Sequence, residues 1–544
     1  MTAPLDREES LARMRAEVFD VAIIGGGING AAAARDAAMR GLRVALVERG
    51  DFAGATSSRS SKLIHGGFRY LPQGQLRLVY SALRERERLR YVTAPHLVAP
   101  IRFLFPVYRG RGVGRFAMAI GLTLYDRFAG TARAEWHRSL NAAEVCEREP
   151  ALAREGLTGG ALYFDAWADD ARLTFENVLD AALHGCAVAN YVAVEGFSKS
   201  NGRIRAAALR DSIGGAAIEL RARVFVNATG PWVDDIRRLD DRTATPCVRL
   251  TKGAHLVIPL KALPVRESIV LSDGAGRIVF VMPHDRYVLV GTTDTDYAGD
   301  PGAVGADAAD VAYLLSVLAA SLPGIKLSHR NIASSFAGLR ALVCDGGDSQ
   351  APSAVSREEV IIASPSGLLT VAGGKLTTHR EIAGKLVAHV MKDLGRPAGP
   401  CPTLAEPLPG ARPSLTGGPR EGADLALDAL PPAAREILVG RYGSRAGVPA
   451  AIAMDRRELA EPLAPQCPVI GAEVIHAVRS EMATSIADFL VRRTGLVWRC
   501  PPEAEAAAGA VARLMGEELG WDRARIEREL GEFSAQMRRQ REPA

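Results

Sequence analysis

Residues 20 to 48, DVAIIGGGINGAAAARDAAMRGLRVALVE, constrain this chain's fold more than any other stretch. An apolar run, Val21 to Ile24, ends in Gly25-Gly26-Gly27, and Ile28, Asn29 and Gly30 follow. The alanine-rich stretch after them has high helix propensity and stops at Gly41. Arg43 to Val47 reads as a second buried strand, closed by Glu48 and Arg49. This is a strand–turn–helix–strand unit with G-x-G-x-x-G spacing at Gly25, Gly27 and Gly30. Gly25 allows the tight turn, Gly27 lets backbone approach a pyrophosphate, and Gly30 lets helix and strand pack closely. The helix N-terminus offers unpaired N–H groups and a positive dipole end to phosphates. Glu48 stands where a carboxylate accepts ribose hydroxyls. The pattern predicts a dinucleotide and leaves NAD and FAD open.

Later segments return to the same ligand. Residues 51 to 71, DFAGATSSRSSKLIHGGFRYL, hold five Ser or Thr, a glycine pair, Lys62, His65 and Arg69. They suit the far half of a long cofactor. Residues 223 to 232, RVFVNATGPW, run a strand into a second close backbone approach, with Pro231 in the first turn of a new helix. Residues 248 to 300 read as antiparallel strands with polar turns. Residues 367 to 380, GLLTVAGGKLTTHR, repeat the opening logic: a strand, Gly373-Gly374, then a helix starting near Lys375. Residues 396 to 420 are rich in Pro and Gly and read as a linker; 421 to 544 reads as a helical domain.

Net charge is +5, from 67 basic and 62 acidic residues, which does not point to a nucleic-acid partner. Seven scattered cysteines form no C-x-x-C pair, as in a reducing compartment. The N-terminus lacks a secretion signal, and no run reaches membrane-spanning length. Residues 95 to 125 interleave Phe103, Phe105, Tyr108, Phe116 and Met118 with Arg102, Arg109, Arg111 and Arg115. This reads equally as an anchor on an anionic bilayer surface or as a buried helix with a basic rim. Asp165, Asp169 and Asp170 read as an acidic helix start, and no metal site is expected.

Together the runs IIGGGINGAAAARDAAMRGLRVALVE, TSSRSSKLIHGGFRYL, VNATGPWVDD, TKGAHLVIP, VGTTDTDY, AGLRALV, GGKLTTHR and DFLVRRTGLVW resemble the FAD-dependent, membrane-associated glycerol-3-phosphate dehydrogenase family. The resemblance covers nearly the whole chain. It implies an α/β FAD-binding, Rossmann-like domain of the D-amino-acid-oxidase type, a β-rich antiparallel substrate domain and a helical C-terminal domain. The expected boundaries are 17–92, 161–247 and 346–395 for the FAD domain, 93–160 for a membrane-facing cap, 248–345 for the substrate domain, 396–420 for the linker and 421–544 for the helices. The resemblance also implies oxidation of sn-glycerol 3-phosphate to dihydroxyacetone phosphate, with electrons passed to a membrane quinone at the inner face of the cytoplasmic membrane. Alternatives are an oxidase using oxygen and a relative acting on another anionic 2-hydroxy compound. A homodimer is left open.

Expected FAD contacts are Gly25, Gly27, Ile28, Asn29, Gly30, Glu48, Arg49, Thr56, Ser57, Ser58, Lys62, Leu63, Ile64, His65, Gly66, Val192, Ala228, Thr229, Gly230, Trp232, Gly374, Lys375, Leu376 and Thr377. Lys62 and the Ser57-Ser58 hydroxyls are expected to hold the pyrophosphate or the flavin edge. Arg69, Tyr70, Arg340 and Arg357 are the substrate candidates, because the guanidinium fork matches phosphate. His255 is the favoured proton acceptor, with His65 as the alternative. Lys375 is placed to stabilise negative charge on reduced flavin. The segment PHDR, 283 to 286, departs from the family pattern and is expected to loosen the substrate pocket.

Overall fold

The computed structural model describes residues 5–71, 73–110, 112–274, 276–344, 359–412 and 421–543. Two sheets dominate it. The first has the order Val360–Ala363, Leu368–Ala372, Ala217–Asn227, Val18–Ile24, Val44–Val47, Ala187–Ala189, with Val192–Ser200 and Arg203–Asp211 extending from Ala217–Asn227. Its four central pairings are parallel. Parallel strands are covered on both faces, so they read as continuous apolar runs, as Val44–Val47 does.

The glycine-turn helix, Ile28–Met39, is buried almost all round. Ala31, Ala33, Ala34 and Ala37 share a core with Val21 and Val226 of the sheet, Phe175 and Leu179 of the helix Asp170–Leu183, and Ile382 and Leu386 of the helix His379–Asp393. Alanine there lets two further helices approach closely, which a larger side chain would prevent.

The second sheet is antiparallel except where Ser268–Ser272 meets Val98–Tyr108. Its strands Val248–Pro259, Ser334–Val343, Tyr287–Gly291 and Ile278–His284 come from the region read as β-rich. Val98–Tyr108 and Leu157–Ala168 join it from earlier in the chain. The boundary read at 161 therefore cuts a strand of this sheet.

Three other readings change. Residues 98 to 108 form a strand rather than an anchor helix, and Phe103 is fully buried. The residues read as linker are packed up to 412. Leu408 sits among Leu89, Leu97 and Leu173, Gly410 N donates to Glu176 Oε2 at 3.0 Å, and Arg412 reaches Asp180 at 2.6 Å. Pro283–Arg286 is the turn of a hairpin facing the C-terminal helices, where His284 meets the rings of Trp167 and Trp498 edge-on and Arg286 pairs with Glu503. That turn is not in the cavity wall described below, so its departure does not loosen the pocket.

The C-terminal helices enclose Leu438, Tyr442, Ile475, Phe489, Val511, Met515 and Phe533. Pro501 opens the helix Pro501–Leu519, Gly520 with φ 68° closes it, and Asp522 caps the next through Arg525 N. This region touches the first sheet's loops through a buried ionic joint: Asp51 accepts from Arg492 at 2.6 Å and from Arg493 at 2.8 and 2.9 Å.

Candidate functional site

A cavity of about 1700 Å³ runs between the two sheets. One end is the glycine turn, lined by Gly25, Gly27, Ile28 and Asn29. Gly25 has φ +107°, and a Cβ there would lie 2.7 Å from Ala228 O. A Cβ on Gly30 would lie 1.9 Å from Gly25 O, so Gly30 is the packing glycine behind the wall rather than part of it. Gly30→Ala is expected to displace the turn, costing more than the roughly 1–3 kcal/mol of ordinary overpacking. The protein should purify with little flavin and a lowered melting temperature. A wild-type flavin-to-protein absorbance ratio would contradict this.

Glu48 lines the same end and accepts from Gly26 N at 2.8 Å and Gly50 N at 2.9 Å. Burial raises its pKa, and those two backbone bonds oppose the rise. Arg49 lies over the Trp232 ring at 3.8 Å, and Val192, Ala228, Thr229 and Gly230 complete this part of the wall.

The hydroxyl-rich loop crosses from one sheet to the other. Ser57 Oγ accepts from Ile28 N at 2.9 Å, and Thr56 Oγ1 donates to Leu339 O at 2.6 Å. Lys62 is not in the cavity wall; its ammonium is buried against Asp170 Oδ1, whose residue does line the cavity, and Ser58 O. A buried ammonium needs a counter-charge, and Asp170, one residue into its helix, supplies it. This corrects the expectation that Lys62 holds a phosphate or the flavin edge. Ser58, Ile64 and Gly66 also lie behind the wall, while Leu63 and His65 line it. His65 is tied to the second glycine turn, its backbone N–H donating to Thr377 Oγ1 at 3.1 Å.

The opposite wall comes from the paired strands Val248–Pro259 and Ser334–Val343. Their register sets His255 opposite Phe336, Gly253 opposite Gly338 and Thr251 opposite Arg340. Alternate residues of a strand share a face, so His255 and Arg340 look the same way. Two glycines make room for them. A Cβ on Gly291 would meet His255 Cδ2 at 2.2 Å, and one on Gly253 would meet Arg340 Nη2 at 2.5 Å.

His255 is 2 % exposed and stacks on Phe336 with centroids 4.9 Å apart. Its Nε2 is 2.8 Å from Ser61 Oγ; Nδ1 is buried without a hydrogen-bond partner among the described residues. Burial, with Arg340 and Lys62 adding positive charge, pushes its pKa down to about 3. The imidazole is therefore neutral across the physiological range, and its unpartnered Nδ1 is open to accept a hydrogen bond. Arg340 is held by Asp294 at 3.2 Å, Thr292 Oγ1 at 3.1 Å and Thr293 O at 3.3 Å, all from residues that also line the cavity.

The Gly373-Gly374 turn closes the remaining side. The segment that follows starts as a 3-10 turn, Leu376–Thr378, and becomes α-helical only at His379. Gly374, Lys375, Leu376 and Thr377 all line the cavity. Lys375 Nζ is 4.0 Å from the centroid of Tyr70, which is buried beneath it and outside the wall. Arg357 lies outside the described residues, as does the Arg69 side chain. Among the described residues no cluster of three metal-ligating side chains occurs. Ser61, Arg59, Asp294 and Arg492 were not singled out in the sequence; each is brought to the site by a partner distant in the chain.

The model for FAD dependent oxidoreductases matches residues 20–380, and the model for the C-terminal domain of alpha-glycerophosphate oxidase matches residues 401–526. The aerobic glycerol-3-phosphate dehydrogenase of Staphylococcus haemolyticus is 35 % identical over 537 residues, covering 95 % of this chain and 94 % of that one. That of Bacillus subtilis is 36 % identical over 533 residues, with the same coverage. The chain belongs to the FAD-dependent glycerol-3-phosphate dehydrogenase family. The solved glycerol-3-phosphate dehydrogenase from Bacillus halodurans, complexed with FAD, superposes with a TM-score of 0.81 at 30 % identity, covering all of this chain and 99 % of that one.

The cofactor of this family is FAD, and the cavity fits it. The glycine cradle at Gly25 has no space for a Cβ, the helix start opens beside it, and an unpartnered imidazole nitrogen is buried in the opposite wall. The fold thus brings both glycine turns to one side of the cavity, where Asn29 Nδ2 donates to Gly373 O at 3.4 Å, with His255 and Arg340 on the wall opposite.

Proposed function

We propose that the protein oxidises sn-glycerol 3-phosphate to dihydroxyacetone phosphate at this cavity. The observation that carries the reading is His255 and Arg340 on one face of adjacent strands, across the cavity from the Gly373–Thr377 turn. When bound, FAD supplies the hydride acceptor. Arg340 holds the substrate phosphate by its planar fork, oriented by Asp294. His255 takes the C2 hydroxyl proton on a ring nitrogen, with Ser61 fixing the ring at Nε2. The Lys375–Thr377 turn presents N–H groups and an ammonium to negative charge as it develops. The names of the relatives support this substrate.

A quinone is the proposed electron acceptor. The cavity's lining includes the apolar and aromatic side chains Phe68, Phe105, Met118, Tyr163 and Phe280. Aromatic side chains of this kind can pack on a flat quinone ring. Oxygen is the alternative, and hydrogen peroxide yield separates the two. Stoichiometric peroxide would favour an oxidase; little peroxide with quinone-dependent turnover supports the dehydrogenase.

The same reading puts the protein on the inner face of the cytoplasmic membrane. No helix among the described residues is long and apolar enough to cross a membrane. The helix Arg115–Ala129 exposes Phe116 at 82 % and Ile120 at 56 %, with Leu76 and Tyr80 exposed on the neighbouring helix beside Arg77, Arg84 and Arg127. Large apolar side chains amid arginines suit an anionic bilayer surface. Each buried Phe or Ile is worth about 1.5–3 kcal/mol. The double substitution Phe116→Ser, Ile120→Ser should therefore lower binding to anionic liposomes by at least roughly tenfold. Sedimentation equal to wild type would end this assignment.

A further inference from the structure

Arg59 stands in the cavity wall and makes no ion pair with a carboxylate among the described residues. The turn that carries it is pinned on three sides. Thr56 donates to Leu339 O, Ser57 accepts from Ile28 N, and Ser58 O accepts from Lys62 Nζ at 2.8 Å. Gly338 leaves space for this turn, since a Cβ there would lie 2.6 Å from Arg59 O. The guanidinium itself makes a single long bond, Nη1 to Val304 O at 3.4 Å.

Its charged neighbour is Arg492, which comes from the C-terminal helical region and also lines the cavity. Arg492 is already committed, its Nε to Asp51 and its Nη2 to Asp488, and Arg493 occupies both oxygens of Asp51. Neither carboxylate is left to neutralise Arg59. Burial and the charge of Arg492 both lower the Arg59 pKa. Two guanidiniums in the cavity wall, with Asp51 and Asp488 already paired, form a site for an added anion, and a fork of N–H donors selects phosphate oxygens.

We propose that Arg59, with Arg492 behind it, is a phosphate-binding cation of the cavity. This rests on the reading of the cavity as the FAD and glycerol 3-phosphate site. Two phosphates meet the chemistry: the pyrophosphate at the Ser57–Ile28 end and the substrate phosphate at the Arg340 wall. The joint of Arg492 and Arg493 with Asp51 also makes the C-terminal region part of the ligand site rather than a separate appendage.

The test compares full-length Arg59→Gln and Arg59→Lys with wild type in two arms. One arm measures the FAD dissociation constant by reconstitution of flavin-stripped protein. The other measures KM for glycerol 3-phosphate and inhibition by inorganic phosphate. Loss of a charge-assisted contact should raise one of these constants on the order of ten- to hundredfold in Arg59→Gln, with partial recovery in Arg59→Lys. A rise confined to the FAD arm assigns the pyrophosphate; a rise confined to the glycerol 3-phosphate and phosphate arm assigns the substrate. Wild-type values in both arms overturn the proposal. Should Arg59→Gln not fold, Arg59→Lys decides alone, since an ammonium cannot make the forked contact and a match to wild type in both arms counts against it. A wild-type enzyme that glycerol 3-phosphate does not reduce would fail the substrate reading, while the FAD arm still scores Arg59.

Discussion

His255→Gln is expected to slow flavin reduction by glycerol 3-phosphate on the order of 10²- to 10⁴-fold, the usual worth of a positioned general base. Glutamine keeps a neutral polar group beside Ser61 but cannot take up a proton. Inorganic phosphate should bind as it does to wild type, because Arg340 and its tether to Asp294 are untouched. Stopped-flow reduction under anaerobic conditions, paired with phosphate inhibition, separates the two effects. Unchanged reduction would remove His255 from the chemistry and leave His65 as the remaining histidine in the wall.

The same substitution has a thermodynamic signature. Burial lowers the folded-state pKa of His255 from 6.5 to about 3. Between those values the unfolded chain binds a proton that the folded one refuses. The stabilisation is therefore complete above pH 6.5 and is lost as pH falls towards 3. His255→Gln should lose less stability over that window, read as a shallower dependence of melting temperature on pH.

Arg340→Ala is expected to raise the substrate dissociation constant by the equivalent of about 2–5 kcal/mol, roughly 30- to several-thousandfold. Part of that cost is Asp294 left facing an empty space. Arg340→Lys should fall between, keeping the charge and losing the fork. Glycerol, which carries no phosphate, provides the control. Its slow reaction should be nearly the same in wild type and Arg340→Ala, so the preference for the phosphorylated substrate collapses. A full phosphate preference in Arg340→Ala would transfer that role to another cation of the wall, such as Arg59.

What could be read from the sequence divides along a physical line. The glycine turn was legible because Gly25 and Gly30 answer to local constraints: a positive φ and a helix packed against its own turn. His255 and Arg340 were legible as residue types in a motif, but their shared face was not. That depends on a register pairing residues more than eighty positions apart, with Gly253 and Gly291 clearing the space. Lys62 was misread because its counter-ion, Asp170, lies 108 residues away. The stretch from 95 to 125 was ambiguous because apolar and basic residues fit a strand with one wet face as well as a bilayer anchor. The structure divides it, burying Phe103 in a strand and exposing Phe116 on a helix. Composition likewise gave no sign that Leu408 is buried within a segment rich in Pro and Gly.

The most direct test of the substrate assignment is the visible spectrum of the purified flavoprotein, mixed without oxygen with sn-glycerol 3-phosphate. Bleaching of the main flavin band is expected, with one dihydroxyacetone phosphate formed per flavin reduced, and glycerol at the same concentration should leave the band nearly intact. A band untouched by glycerol 3-phosphate, or bleached equally fast by glycerol, would contradict a site built on phosphate recognition at Arg340 and proton removal at His255.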